Sequence, residues 1–191
     1  MRRVVRTFCV GAIGYAIGCV PVADLIARRH GVDDLRAVGD GNPGYWNARE
    51  QIGTRASAPI FVGDVAKGAA AAALARFADG PWWIGQLGGG AAMLGHAFPA
   101  PAGGRGGRSV LTFVGAAAVF APRPAAISTV ALGAAWTVTR RFDVAARVGI
   151  AAFPFVQLAT QGARRTAATG ALMTFIGFRF AQLHAATSAQ G

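Results

Sequence analysis

Apolar residues run in long blocks along this chain, and short polar or glycine- and proline-bearing stretches separate them. A helix that crosses a bilayer needs about 20 predominantly apolar residues, with about 17 tolerated. Seven blocks approach that length: 4–27, 55–78, 81–97, 107–121, 124–139, 144–160 and 166–184. The interruptions fall where turn chemistry predicts them, at Asp79-Gly80-Pro81, residues 99–107, Pro122-Arg123-Pro124, Arg140-Arg141 and Arg164-Arg165. The pattern predicts an all-α, polytopic membrane bundle of about seven transmembrane helices, forming one domain over residues 1–191. Block 81–97 is rich in glycine and block 107–121 is short, so five or six spans with a re-entrant piece is the structural variant. The abundance of alanine and glycine within the blocks suits close helix packing.

The most polar interruption is LRAVGDGNPGYWNAREQIG, residues 35–53, read here as a loop between the first two spans. It holds both asparagines of the chain, Asn42 and Asn47, with Gly39, Gly41 and Gly44 around the first. Glycine lets backbone N–H groups approach a ligand closely, and successive exposed N–H groups form a concavity suited to an anion. Arg36 and Arg49 flank the stretch with fixed positive charge. The plain alternative is a turn region with no special role.

Composition agrees with a membrane protein. Apolar residues make up 53% of the chain and charged residues 14%, against about a quarter charged in soluble domains; mean hydropathy is +0.41. The net charge of +11 points to anionic headgroups and substrates rather than nucleic acid, because the basic residues are scattered at block ends and carry no nucleic-acid motif. Cys9 and Cys19 lie in one apolar block without metal-ligand spacing and read as small hydrophobes. The N-terminal stretch resembles a signal peptide but precedes an equally apolar remainder, so an uncleaved first span is expected. Seven spans would divide the arginines beside them ten against seven. That bias puts the loops at 35–53 and 99–108 together on the cytoplasmic face, with the N-terminus outside.

Three motifs stand out: Gly18-Cys19-Val20-Pro21 with the stretch from Arg36 to Gly53; Asp64-Val65-Ala66-Lys67-Gly68; and Gly95-His96-Ala97-Phe98-Pro99 followed by Gly103-Gly104-Arg105-Gly106. In order and spacing they resemble the bacterial acyl-phosphate:glycerol-3-phosphate acyltransferases of the PlsY type. That family carries G-S-x-P, D-x-R-x-x-G-S-G-N-x-G-A-T-N, D-x-x-K-G, and G-H-x-F-P followed by G-G-K-G. The resemblance covers roughly the first 110 residues. It implies a multi-pass protein of the bacterial inner membrane that moves an acyl chain from acyl phosphate to glycerol 3-phosphate for phospholipid synthesis, with no cofactor and with membrane lipids as its surroundings. It implies catalytic roles for His96, Arg105 and Lys67. It also implies substrate-binding roles for Arg36, Gly39, Asp40, Gly41, Asn42, Gly44, Asn47, Gly103, Gly104 and Gly106, and no metal ligand.

The chemistry suits these residue types. Donor and acceptor each carry a phosphate, so glycine-loop amides and fixed cations would supply the positive potential. Each residue also has a structural reading. Asp64 and Lys67 form an i,i+3 pair that can snorkel at an interface. His96 can be a packed histidine or can orient a loop and move a proton. Asp24 reads as a partly buried structural acid. The departures are Asp40 in place of the family serine, Tyr45-Trp46 in place of Ala-Thr, Glu50 in place of an arginine, and a C-terminal stretch without the family's His, Asn and Glu. Residues 179–184 are read as a remnant of it. The alternatives are a degenerate paralogue that binds lipid or a partner without turnover, and a small transporter, which lacks the expected matched pair of interrupted helices.

Overall fold

The computed structural model describes residues 2–78 and 80–188; Asp79, assigned above to a turn, lies outside them. The described residues form helices α1 (Arg2–Gly18), α2 (Val22–Arg29), α3 (Tyr45–Ala73), α4 (Ala75–Ala78), α5 (Trp83–Ala97), α6 (Val110–Phe120), α7 (Pro122–Thr139), α8 (Phe142–Gln161) and α9 (Ala163–Ser188), with short 3-10 turns at Leu35–Ala37 and Ala100–Ala102. There is no strand among them. Each of the seven apolar blocks is therefore helical. By length and composition, Arg3–Arg29, Tyr45–Ala78 and Phe142–Gln161 are long and apolar enough to cross a membrane, and Val110–Phe120 is a shorter apolar helix.

Two boundaries differ from expectation. The first block is broken at residues 19–21, where Pro21 has no N–H to continue the helical ladder, and α2 restarts behind it. The stretch 35–53 is a loop only as far as Gly44. Tyr45 opens α3, and Gly53, at φ +82°, kinks that helix rather than ending the loop. Asn47, Arg49 and Glu50 therefore ride on the first turns of a helix.

Small residues set the directions of the helices. Gly14 faces Gly88 and Gly18 faces Ala92, so α1 and α5 run parallel; Gly88 faces Ala71 and Gly85 faces Ala72, so α3 runs antiparallel to α5, and Gly68 against Thr112 with Gly115 against Val65 marks where α3 crosses α6. The Trp46 and Phe142 rings, 5.2 Å apart, bring the start of α8 to the start of α3. Arg165 lies over Trp82, 5.5 Å from its centroid, which brings the start of α9 to the start of α5. Residues 30–44 and 98–109 thus gather at one end of the bundle, with the start of α8. The core between α5, α6, α8 and α9 holds Met93, Phe113 and Phe153, flanked by Leu172 and Ile176. Polar groups buried there are tied across helices: Gln86 Nε2 donates to Thr169 Oγ1 (2.8 Å), and Gln157 Nε2 donates to the same oxygen (3.0 Å).

The motif glycines belong to this packing. A Cβ at Gly68 would collide with the Thr112 carbonyl, one at Gly18 with the Ala92 carbonyl, and one at Gly95 with the Tyr15 carbonyl. Gly68→Val should therefore destabilise the bundle by about 1–3 kcal/mol or more, the range for overpacking. Gly11→Ala, with nothing within 4 Å of the new methyl, should leave stability unchanged or raise it by about 0.5–1 kcal/mol. Unfolding in detergent measures both.

Candidate functional site

The break between α1 and α2, the middle of α3, the last turn of α5 and the glycine turn before α6 surround a cleft of about 300 Å³ including its open mouth. Cys19, Val20, Pro21, Asp24, Arg36, Asp64, Lys67, His96, Gly106 and Gly107 line it. At its base, Lys67 Nζ lies 3.0 Å from Asp64 Oδ1 and donates to the Val20 carbonyl at 3.3 Å. The helix break frees that carbonyl from the regular ladder. His96 Nδ1 is 3.6 Å from the same carboxylate oxygen. Asp64 Oδ1 is buried and, although within ion-pair distance of Lys67, lies off the line of a hydrogen bond and has no aligned donor among the described residues. The Asp64 and Lys67 side chains are 3% and 7% exposed, so this is an interior pair and not one snorkelling at an interface.

Arg36 lines the cleft, and most of its hydrogen-bonding capacity is already used. Its guanidinium grips Asp24 through two bonds of 3.0 Å each, reaches Asp34 at 2.9 Å, and donates Nε–H to the Arg105 carbonyl at 2.7 Å. Four of its five N–H donors are thereby engaged. Burial alone would weaken the arginine's hold on its proton, but the Asp24 and Asp34 carboxylates raise its pKa. Burial pushes Asp34 up, yet the Arg36 backbone N–H and guanidinium outweigh it and hold that carboxyl below its ordinary value. Asp24, read from sequence as a structural acid, is the anchor of this clamp.

The first glycine loop is packed against asparagines rather than open as an anion nest. Asn47 Nδ2 donates to the carbonyls of Leu35 (2.8 Å), Val38 (2.9 Å) and Asn42 (3.2 Å), so the first turn of α3 staples residues 35–42. Gly39, at φ +59°, has no room for a Cβ beside Asn47 Oδ1, and one at Gly44 would meet Asn42 Nδ2 at 2.9 Å. Gly41 also takes a left-handed turn at φ +68°. Asn42 is buried, and its Oδ1 has no hydrogen-bond partner among the described residues. Asp40 does not present a bare charge. Its Oδ1 accepts from the Asn42 N–H at 3.0 Å, and its Oδ2 pairs with Arg108 at 2.6 Å.

The second loop turns at Gly103 and Gly104 (φ +60° and +75°). It folds back so that the Gly106 and Gly107 N–H groups donate to the carbonyls of Ala97 (3.0 Å) and His96 (3.1 Å). A Cβ at Gly106 would collide with the His96 carbonyl. The Arg105 side chain is exposed and makes no hydrogen bond or ion pair with the described residues.

Two residues outside the sequence-predicted set complete the site. Arg108 joins the two loops through Asp40 and lies over the Phe180 ring, 4.5 Å from its centroid. Arg179, only 5% exposed, donates from α9 to the carbonyls of Gly106 (2.9 Å) and Gly107 (3.3 Å). It also bonds Gln182 Oε1 at 2.8 Å and covers the Phe98 ring at 4.4 Å. The stretch read as a remnant therefore grips the second loop. The sequence signal was present: arginine and phenylalanine adjacent on an otherwise apolar helix.

Three further residues of the polar stretch sit away from the cleft. Tyr45 and Trp46 do not line the cleft; their rings meet edge to face at 5.2 Å, Tyr45 also meets Phe61 (5.3 Å) and Trp46 meets Phe142 (5.2 Å). Arg49 turns to Thr54 Oγ1 (3.1 Å) and the Trp46 ring. The pairs Asp64–Lys67 and Asp40–Arg108 cancel in charge, while Arg36 is shared between Asp24 and Asp34. Arg105 within the second loop and Arg179 behind it have no carboxylate partner among the described residues and add positive potential there.

If Asp40–Arg108 is a joint between the loops, a double-mutant cycle of Asp40→Asn and Arg108→Gln should show a coupling of about 0.5–1 kcal/mol in detergent unfolding. Asn47→Ala, which removes the side-chain donor shared by the carbonyls of Leu35, Val38 and Asn42, should cost about 1–3 kcal/mol.

Comparison with known proteins agrees with this geometry. The glycerol-3-phosphate acyltransferase family matches residues 8–186. The chain is 34% identical over 167 residues to a glycerol-3-phosphate acyltransferase of Sinorhizobium fredii, covering 86% of this chain and 80% of that protein. It is 37% identical over 150 residues to one from Rubrobacter xylanophilus, covering 76% and 73%. Among solved structures, the crystal structure of PlsY, an integral membrane glycerol 3-phosphate acyltransferase, in its glycerol 3-phosphate form superposes with a TM-score of 0.77 at 27% identity, covering 92% of this chain and 88% of that one. Its lysophosphatidic acid form gives 0.74 at 26%, covering 91% and 87%. With the ordered motifs, the all-helical fold and this cleft, the chain belongs to the PlsY-type glycerol-3-phosphate acyltransferase family.

Proposed function

We propose that this protein transfers an acyl chain from acyl phosphate to the 1-hydroxyl of glycerol 3-phosphate, releasing lysophosphatidic acid and inorganic phosphate. The observation that carries the reading is the buried Asp64–Lys67–His96 group in a cleft between two glycine loops, beside cations without carboxylate partners. The family membership and the PlsY structures with glycerol 3-phosphate and lysophosphatidic acid support the same substrate and product. The hydroxyl oxygen attacks the acyl carbon, the ester C–O bond forms, and the acyl C–O bond to phosphate breaks. Phosphate departs with the hydroxyl proton, so the step needs no covalent enzyme intermediate.

In this reading Lys67 and Arg105 hold phosphate oxygens, with Arg105 standing where the family pattern has lysine. Asp64 Oδ1, buried without an aligned donor, accepts from the attacking hydroxyl, and His96 orients that carboxylate or relays the proton. Gly103, Gly104 and Gly106 shape the turn that brings backbone close to the donor. Arg36, Gly39, Asp40, Gly41, Asn42, Gly44 and Asn47 build the opposing wall, mainly by fixing its shape. Arg108 and Arg179 secure both walls. These contacts favour an active enzyme over a degenerate paralogue, because the carboxylate at position 40 is neutralised and α9 still reaches the second loop. The protein would act in the bacterial inner membrane as a single domain, with both loops in the cytoplasm.

Purified protein given acyl phosphate and glycerol 3-phosphate should release lysophosphatidic acid and phosphate in equal amounts, with no product from acyl-CoA. Lys67→Met should lower turnover roughly a hundredfold or more, the scale for losing one stabilising donor at a developing charge. Arg105→Lys should keep most activity, while Arg105→Ala loses about 1.5–3 kcal/mol of transition-state binding. Binding of glycerol 3-phosphate without turnover from acyl phosphate would favour the paralogue.

For orientation, Ala37→Cys in a Cys9→Ala, Cys19→Ala background should resist impermeant thiol reagents in intact cells and label after the membrane is opened. Labelling from outside would reverse the assignment.

A further inference from the structure

The end of the bundle away from the glycine loops holds a second cleft, about 670 Å³ including its open side. It lies at the start of α5, and the 15 residues of that helix separate it from the catalytic cleft by about 22 Å. Two arginines 89 positions apart in the chain, Arg76 of α4 and Arg165 in the first turn of α9, line it together with Trp82. Val119 and Phe120 of α6 supply an apolar wall. No carboxylate is among the described residues that line it.

The cations are placed differently. Arg165 is half-buried and lies over the Trp82 ring, 5.5 Å from its centroid, a contact that holds a guanidinium without neutralising it. Its backbone is fixed because Gln86 Nε2 donates to the Arg165 carbonyl at 3.1 Å. Arg76 is exposed and makes no hydrogen bond or ion pair with the described residues. Trp82 itself is 38% exposed, as suits an indole at a membrane interface.

We infer that this cleft is a second, non-catalytic site that holds an anionic phospholipid, with the phosphodiester between Arg76 and Arg165 and the start of an acyl chain along Val119 and Phe120. The occupant follows from the chemistry. Two cations over an apolar wall at the end of a membrane bundle match a headgroup attached to a hydrocarbon chain, whereas a free phosphate has no use for the wall. Basic pockets between transmembrane helices take lipid headgroups for this reason. The inference rests on the membrane-embedded fold and not on the proposed reaction. It calls for an enrichment of anionic over zwitterionic lipid on the order of tenfold, from two arginines near the surface.

The test uses the full chain with Trp82 as its sole tryptophan (Trp46→Phe, Trp83→Phe, Trp136→Phe), reconstituted in phosphatidylcholine vesicles. A minor fraction of dibrominated phosphatidylglycerol should quench Trp82 severalfold more than the same fraction of dibrominated phosphatidylcholine. The Arg76→Gln, Arg165→Gln pair should abolish that preference, and the Arg76→Lys, Arg165→Lys pair should keep much of it. Equal quenching by the two lipids in the starting protein overturns the proposal, as does a preference that survives the glutamine pair. Displacement of the preference by excess inorganic phosphate would assign the site to a free anion and also overturn it. Acyl transfer does not enter the readout, so loss of this site and loss of the catalytic reading are separable.

Discussion

Everything at the glycine-loop end depends on holding an aspartate and a lysine together inside a helical bundle. A charge at mid-bilayer costs about 2.5–3.5 kcal/mol on insertion scales, and Asp64 and Lys67 lie inside α3 with almost no exposure. The pair is tolerable because the fold brings further partners to it. The break at residues 19–21 supplies the Val20 carbonyl, and the last turn of α5 supplies His96. Both depend on close approach of α1, α3, α5 and α6, and the motif glycines at 18, 68 and 95 allow that approach. The D-x-x-K-G and G-H-x-F-P signatures are thus one packing solution with a polar centre.

The helical class was legible because seven apolar blocks bounded by arginine and proline leave few other solutions, and the motifs around Lys67 and His96 did converge on one cleft. What could not be read was whether a glycine or an asparagine serves a ligand or the chain itself. Asn47 looked like a ligand-binding residue because asparagine in a glycine-rich stretch suits both uses. Its amide is spent on three carbonyls of its own loop. Arg36 looked like a free cation, yet two carboxylates and a carbonyl engage it. Local pattern does not report such partners, because they come from elements brought together only by folding.

The same limit explains Asp40 and the C-terminal helix. In sequence, Asp40 is a negative charge where the family has a hydroxyl. In the fold it meets Arg108, 68 positions away, at 2.6 Å. The loss of the family's C-terminal His, Asn and Glu removes a pattern, while Arg179 and Phe180 still bind the second loop from α9. Arg105 within the second loop and Arg179 behind it, neither with a carboxylate partner among the described residues, add positive charge there. That arrangement suits doubly charged phosphates entering from one end.

Hydrogen exchange of the purified protein with and without saturating glycerol 3-phosphate tests this account most directly. Protection is expected in the second glycine loop, at 103–107, and in the peptides carrying Val20, Asp64 and His96, with no change around Trp82 and Arg165. Protection confined to the Trp82 end, or none at the glycine loops under saturation, would contradict the assignment of the cleft.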